Sequence, residues 1–205
     1  MDAFWESFLL MFVLVNPFIM SVYLQELVSG TSAAYFGRLL FRAGWISCVI
    51  YAIFAWAGDS VFEDVLQVSF AAFLIFGGLT FLVVGLRLIF GIGPPVATLK
   101  PESGAVSGAI VMPLMVGPGT ISASVIAGSR LDLPWAVLAI CSAVAAGLGA
   151  VMLLKLLHDF VRDRNEKLIA RYTETAGRVT ALFTGTFAIQ MILNGIQRWM
   201  ATLPT

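Results

Sequence analysis

Charge is what this chain has least of. Only 12% of its 205 residues are Asp, Glu, Lys or Arg, against 60% hydrophobic, and mean hydropathy is +0.95. A soluble domain carries about 25% charged residues, so the composition excludes a water-soluble globular fold and points to an integral membrane protein. Metal and redox chemistry are equally short of material, with one histidine and two cysteines. Cys48 and Cys141 each stand alone in an apolar run, offering neither a disulfide framework nor metal-ligand spacing, and are read as buried structural thiols. His158, beside Asp159 at the end of an apolar run, is expected in solvent. No nucleophile-base-acid set, carboxylate pair or phosphate loop is present, so neither an enzyme nor a cofactor is expected. The N-terminus has no basic region and no small-residue cleavage site ahead of a second polar segment, so the first apolar run is expected to be retained as a span.

What is there is length without charge. Uncharged runs cover residues 7–25, 65–86, 103–129, 133–154 and 179–197. A sixth, 43–58, falls short of the roughly 20 residues a spanning helix needs and is expected to borrow residues 39–41, with Arg42 snorkelling. Six spans follow. With loops alternating sides, one side collects Arg38, Arg42, Lys100, Arg162, Arg164, Lys167, Arg171 and Arg178, with Arg87 and Lys155 at the helix ends beside it; the other holds only Arg130 and Arg198. The basic side is read as cytoplasmic, which leaves both termini and the loop with Asp59, Glu63 and Asp64 outside. Trp5, Trp56, Trp135 and Trp199 all fall at outer helix ends, as an interfacial belt requires, and only Trp45 falls on the inner side.

Two of the apolar runs are interrupted at their centres, one by Asn16-Pro17 and the other by Gly117-Pro118-Gly119-Thr120. Each step breaks the hydrogen-bond ladder where water is not at hand to repair it. Each also reads as a helix restart, with Asn16 or Gly117 as N-cap and Pro17 or Pro118 at the first helical position. The freed N–H groups and the positive end of the helix dipole then face whatever fills the gap.

Pro17 and Pro118 lie about half a chain apart, and the two contexts match in kind: Leu14-Val15-Asn16-Pro17 followed by Ser21, and Met115-Val116-Gly117-Pro118 followed by Ser122. The third and sixth runs also rhyme, Phe76-Gly77-Gly78-Leu79-Thr80 with Phe183-Thr184-Gly185-Thr186-Phe187. This suggests a duplicated three-helix unit, residues 1–93 and 103–205 of one membrane domain, with a Gly- and Pro-rich hinge at 91–104. Three being odd, the second copy is upside down, and the two restarted helices converge their positive ends on one midplane region suited to a carboxylate or another small anion. A second linker, 158–178, mixes charges and is expected to be a solvated cytoplasmic loop with some helix.

Met112-Pro113-Leu114-Met115-Val116-Gly117-Pro118-Gly119-Thr120-Ile121 resembles the P-L-x-x-G-P-G-x-I motif of the MarC family of bacterial inner-membrane proteins. Residues 76–82 and 188–196 carry further likeness, which covers most of the chain. The first helix departs from the pattern, since Asn16-Pro17 is not followed by the family's glycine and second proline. The resemblance implies a six-helix inverted-repeat fold and kinship with small exporters related to LysE, some of which look like transporters of small neutral amino acids.

The substrate contacts expected on these grounds are Asn16, Pro17, Ser21, Gly117, Pro118, Gly119, Thr120 and Ser122, with Gln190 and Asn194 from the sixth helix. Thr120, Ser122 and Ser124 either line the cavity or bond back to their own helix carbonyls. Gln190 and Asn194, four apart on one helix face, are expected to face protein or cavity, because an amide facing lipid is costly. Gly77, Gly78, Gly85, Gly147 and Gly149 are read as packing notches. The mid-membrane parts of all six spans lack Asp, Glu, His, Lys and Arg, which disfavours coupling through a buried carboxylate. The expected partners are membrane lipid and a small zwitterionic substrate, not nucleic acid, with homo-oligomerisation left open. An inorganic-ion exporter or channel and a non-transporting membrane scaffold stay as alternatives.

Overall fold

A computed structural model describes residues 2–58, 60–65, 67–90, 111, 115–162 and 166–202. The hinge at 91–104, Lys100 and the 112–114 part of the motif lie outside them. Among the described residues the chain is all-helical: α1 (Asp2–Val15), α2 (Pro17–Tyr23), α3 (Gln25–Gly30), α4 (Ala33–Ala57), a π-helical turn (Val61–Val65), α5 (Phe70–Ile89), α6 (Pro118–Arg130), α7 (Leu133–Arg162) and α8 (Glu166–Ala201). Among the described residues four stretches are long and apolar enough to cross a membrane: Asp2–Ser21, Ala33–Ala57, Phe70–Arg87 and Leu133–Phe160.

Local chemistry sets most of the boundaries. The Ser32 hydroxyl accepts from Tyr35 N at 3.4 Å and caps α4, and Ser69 Oγ accepts from Ala72 N at 3.1 Å at the start of α5. Gly58, at φ 61°, takes at the end of α4 a positive φ that glycine adopts without steric cost, and its N–H bonds to Phe54 O at 2.9 Å. The short sixth run is thus part of a 25-residue helix, about 37 Å long, that starts before Arg38 and carries Arg38 and Arg42 on its exposed face.

The linker at 158–178 is a correction. Its described residues, 158–162 and 166–178, are all helical: α7 continues to Arg162, and α8 runs for 36 residues, about 54 Å and far more than a bilayer needs. Mixed charge marks a segment as polar without excluding helix, and the segment holds no proline to break one. His158 is likewise corrected: its side chain is only 16% exposed, with Nδ1 3.6 Å from Asp159 Oδ1.

The larger core joins α1, α4, α6 and α7 around Met11, Val15, Phe36, Tyr51, Ala123 and Ile140. A second gathers Phe62, Phe70, Leu74, Val125 and Met191. α5 and α8 form the most extensive helix pair, and small residues let them close: a Cβ at Gly78 would meet Ala188 O at 2.7 Å, one at Gly85 would meet Gly185 N at 3.2 Å, and one at Gly195 would meet Ala71 O at 2.9 Å. Gly147 seats Val15, but Gly149 faces open space and is no notch. Outside, Phe41, Trp56, Phe76 and Phe160 are each at least 67% exposed, an apolar exterior that water would not tolerate over so large a surface.

Burial repeats along the chain. The buried positions of α4 are 36, 39, 40, 43, 44, 47, 51 and 55; in α7 they are 136, 139, 140, 143, 144, 147, 151 and 155, each one hundred further on. Contacts recur with partners exchanged. Lys155 bonds to the Val28 carbonyl, while Gly128 lies against the Ala55 carbonyl; Ser47 touches Met115, while Gly147 touches Val15.

Candidate functional site

Asn16 is where α1 becomes α2. Its φ of 44° lies in the left-handed region, which asparagine tolerates better than any β-branched or bulky residue. Asn16 N–H still donates to Phe12 O at 3.2 Å, and Asn16 O accepts from Met20 N at 3.1 Å, so one ladder ends and the next begins on a single residue. The side chain completes the restart, with Oδ1 accepting from Ile19 N at 3.1 Å. Pro17 follows at the first helical position and is buried; Asn16 and Ser21 are half-buried.

The second break is built differently. Val116 N donates to Val111 O at 2.8 Å, a wide turn that ends before Gly117, which is extended at φ −133° and caps α6. Having no side-chain oxygen, Gly117 relies on Thr120: its N–H donates to Thr120 Oγ1 at 3.0 Å, and that hydroxyl donates to Met115 O at 2.8 Å. Tyr51, fully buried on α4, donates to the same Met115 carbonyl at 2.6 Å. One stranded carbonyl thereby accepts two hydroxyls, and the break is tied to α4 as well as to itself. Ser124 Oγ bonds back to Thr120 O at 2.8 Å, so of the two readings open for these hydroxyls, Thr120 and Ser124 take the bond to their own segment.

Around the start of α6 the space is tight. A Cβ at Gly119 would meet Met191 Sδ at 3.3 Å, Leu14 Cδ2 at 3.4 Å and Phe81 Cε2 at 3.5 Å. One at Gly77 would collide with the Pro118 ring. Three elements, α1, α5 and α8, therefore converge on Pro118-Gly119. By helix geometry the N–H groups of Gly119 and Thr120 lack an intrahelical acceptor, and Gly119, Thr120 and Ser122 are all buried. Gln190 and Asn194 do not join this cluster. Gln190 is exposed, Asn194 half-buried, and the two bond to each other at 2.8 Å; it is Met191 that α8 turns toward the break.

A separate cleft of about 280 Å³ lies between the C-terminal ends of α4 and α6, lined by Ala55, Trp56, Gly58, Val125, Ile126, Gly128, Ser129 and Arg198. Arg198 sits 5.0 Å over the Phe70 ring. Val125 is six residues beyond Gly119, about 9 Å along α6, and belongs with Phe62, Phe70, Leu74 and Met191 to the apolar cluster between cleft and break.

Reading the sequence missed Tyr51, Met115 and Met191, and it placed Lys155 at a helix end. A tyrosine at the centre of an apolar run was the available signal, because its hydroxyl must find a partner there. Cys48 and Cys141, each standing alone in the sequence, are free thiols whose side chains lie close to each other between α4 and α7. Among the described residues no group of three or more His, Cys, Asp or Glu side chains could hold a metal ion.

An all-helical chain with several spanning helices and two proline-initiated breaks in apolar segments is a multi-pass membrane protein. The family model for MarC family integral membrane proteins matches residues 1–200, and the chain belongs to that family. A curated relative, a UPF0056 membrane protein of Pyrococcus horikoshii, is 24% identical over 197 residues, spanning 93% of this chain and 91% of the relative. No solved structure matches the chain.

Proposed function

We propose that this protein is a non-enzymatic, inner-membrane transporter of six spans, arranged as two inverted three-helix repeats over residues 1–93 and 103–205, which moves small neutral zwitterions such as amino acids. The observation that carries the reading is the exchange of partners between halves. If two halves related by a two-fold axis are offset by one hundred residues, a contact between 28 and 155 must reappear between 128 and 55, and it does. The pair 47 with 115 maps in the same way onto 147 with 15. A two-fold in the membrane plane, with breaks in corresponding helices, is the plan of carriers that bind at the repeat interface.

The substrate carboxylate would take the Gly119 and Thr120 N–H groups at the positive end of α6. Leu14, Phe81 and Met191 now cover that end, so binding requires these flexible side chains to withdraw. Asn16, Pro17, Ser21, Gly117, Pro118 and Ser122 complete the site, with Gln190 and Asn194 entering only if α8 turns.

Uptake and efflux of radiolabelled neutral amino acids in vesicles reconstituted with the full chain test this, with wild type beside Gly119→Leu. Saturable movement by the wild type and its loss in folded Gly119→Leu are expected. Conductance of inorganic ions without amino-acid competition would replace the substrate class, and no transport in either direction would leave a membrane scaffold.

A further inference from the structure

Lys155 is the one charged side chain buried among the described residues, 2% exposed, and it lies inside the apolar helix Leu133–Phe160. An ammonium at such a position is expensive unless oxygen atoms surround it. Nζ donates to Val28 O at 2.6 Å and to Asp159 Oδ1 at 2.6 Å. Val28 belongs to the last turn of α3, whose terminal carbonyls have no intrahelical acceptor role left to fill and carry the negative end of the dipole. Membrane carriers hold small monovalent cations at helix C-terminal ends and unwound carbonyls, and here the Asp159 carboxylate adds a full negative charge beside such a carbonyl.

The symmetry-related position shows what the lysine does. There Ala55 takes the place of Lys155, Gly128 that of Val28, and backbone meets backbone with no gap between. Between α3 and α7, where valine stands in place of that glycine, it is the buried Lys155 side chain that reaches the carbonyl. We propose that the Val28 carbonyl and the Asp159 carboxylate form a site for a small singly charged cation, which the chain fills permanently with its own Lys155 ammonium, so that α3 is held on α7 with no external ion. Asp159, 39% exposed, is the side from which water reaches this site. The inference holds whatever the protein carries.

The test uses the purified full chain in nanodiscs, with thermal unfolding followed in sodium, potassium, methylammonium and choline chlorides at equal ionic strength. Wild type should unfold at the same temperature in all four. Lys155→Ala should unfold earlier in choline and regain about 3–6 °C in sodium or methylammonium, ions small enough for the vacated space. Adding Asp159→Asn to that variant should abolish the gain. Equal behaviour of Lys155→Ala in all four salts, or an undiminished gain in the double variant, overturns the site. Should Lys155→Ala not fold, Asp159→Asn alone decides, read by acetylation of Lys155 with acetic anhydride. Modification about tenfold faster than in wild type is expected from loss of a charge-assisted bond, and an unchanged rate overturns the proposal.

Discussion

At the scale of single residues, the two breaks use opposite solutions to one problem. Asn16 supplies both a left-handed backbone and a capping oxygen, whereas Gly117 is extended and borrows its hydroxyl from Thr120. This difference predicts how each responds to substitution. Asn16→Gly keeps the backbone freely and loses one hydrogen bond, so it should change stability by a few tenths of a kcal/mol. Asn16→Ala loses the bond and forces a Cβ into the left-handed region, and should cost about 2 kcal/mol. At Gly117 the order reverses. Its φ of −133° suits any residue, so Gly117→Ser should be tolerated there, while Thr120→Val, which leaves Gly117 N–H and part of the Met115 carbonyl unpaired, should cost about 2 kcal/mol. Thermal unfolding in detergent of the four variants checks the ranking; a Gly117→Ser variant less stable than Thr120→Val would contradict it.

Between helices, close approach at α5 fixes the second break from outside. Gly77 gives its missing side chain to the Pro118 ring, and Pro118 cannot retreat because its ring is part of the α6 backbone. Gly77→Ala should therefore cost about 1–3 kcal/mol and shift the start of α6. Gly149→Ala, at a glycine of α7 that faces open space, should gain up to about 1 kcal/mol from helix propensity. The breaks themselves were legible in the sequence, because proline preceded by a capping residue acts within one turn and needs no tertiary information. The seating of Pro118 on Gly77 was not, since it depends on which face of α5 meets α6. Nor was the helical state of 158–162 and 166–178, where charge marks a polar segment and says nothing of backbone conformation. Gln190 and Asn194 show the same limit: their spacing correctly put them on one face, but which face α8 turns inward depends on Gly78, Gly85 and Gly195 packing against α5.

For the molecule as a whole, the half-chain offset between Pro17 and Pro118 was visible in sequence, but the contacts that relate the halves were hidden because the paired residues differ in kind. Lys155 corresponds to Ala55 and Ser47 to Gly147, so no residue-by-residue likeness would match them. Orientation follows from a separate argument. On the proposed six-span arrangement ten of the twelve Lys and Arg residues fall on one side, and the proposal therefore puts the termini and the turn around Glu63 on the opposite, extracytoplasmic side. Two inverted halves, as proposed, would put both termini on one side, so topology and symmetry are tested together. Single cysteines at Thr205 and at the exposed Glu63, in a chain with Cys48 and Cys141 replaced, should both react with a membrane-impermeant thiol reagent added to intact cells. Cysteines placed at the exposed Arg38 and at Phe160 should react only after lysis. The opposite pattern, with all four assignments exchanged, would keep the repeat and reverse its direction in the membrane. A split, in which Thr205 and Glu63 label from different sides, would leave an odd number of spans between them and remove the inverted repeat on which the shared site depends.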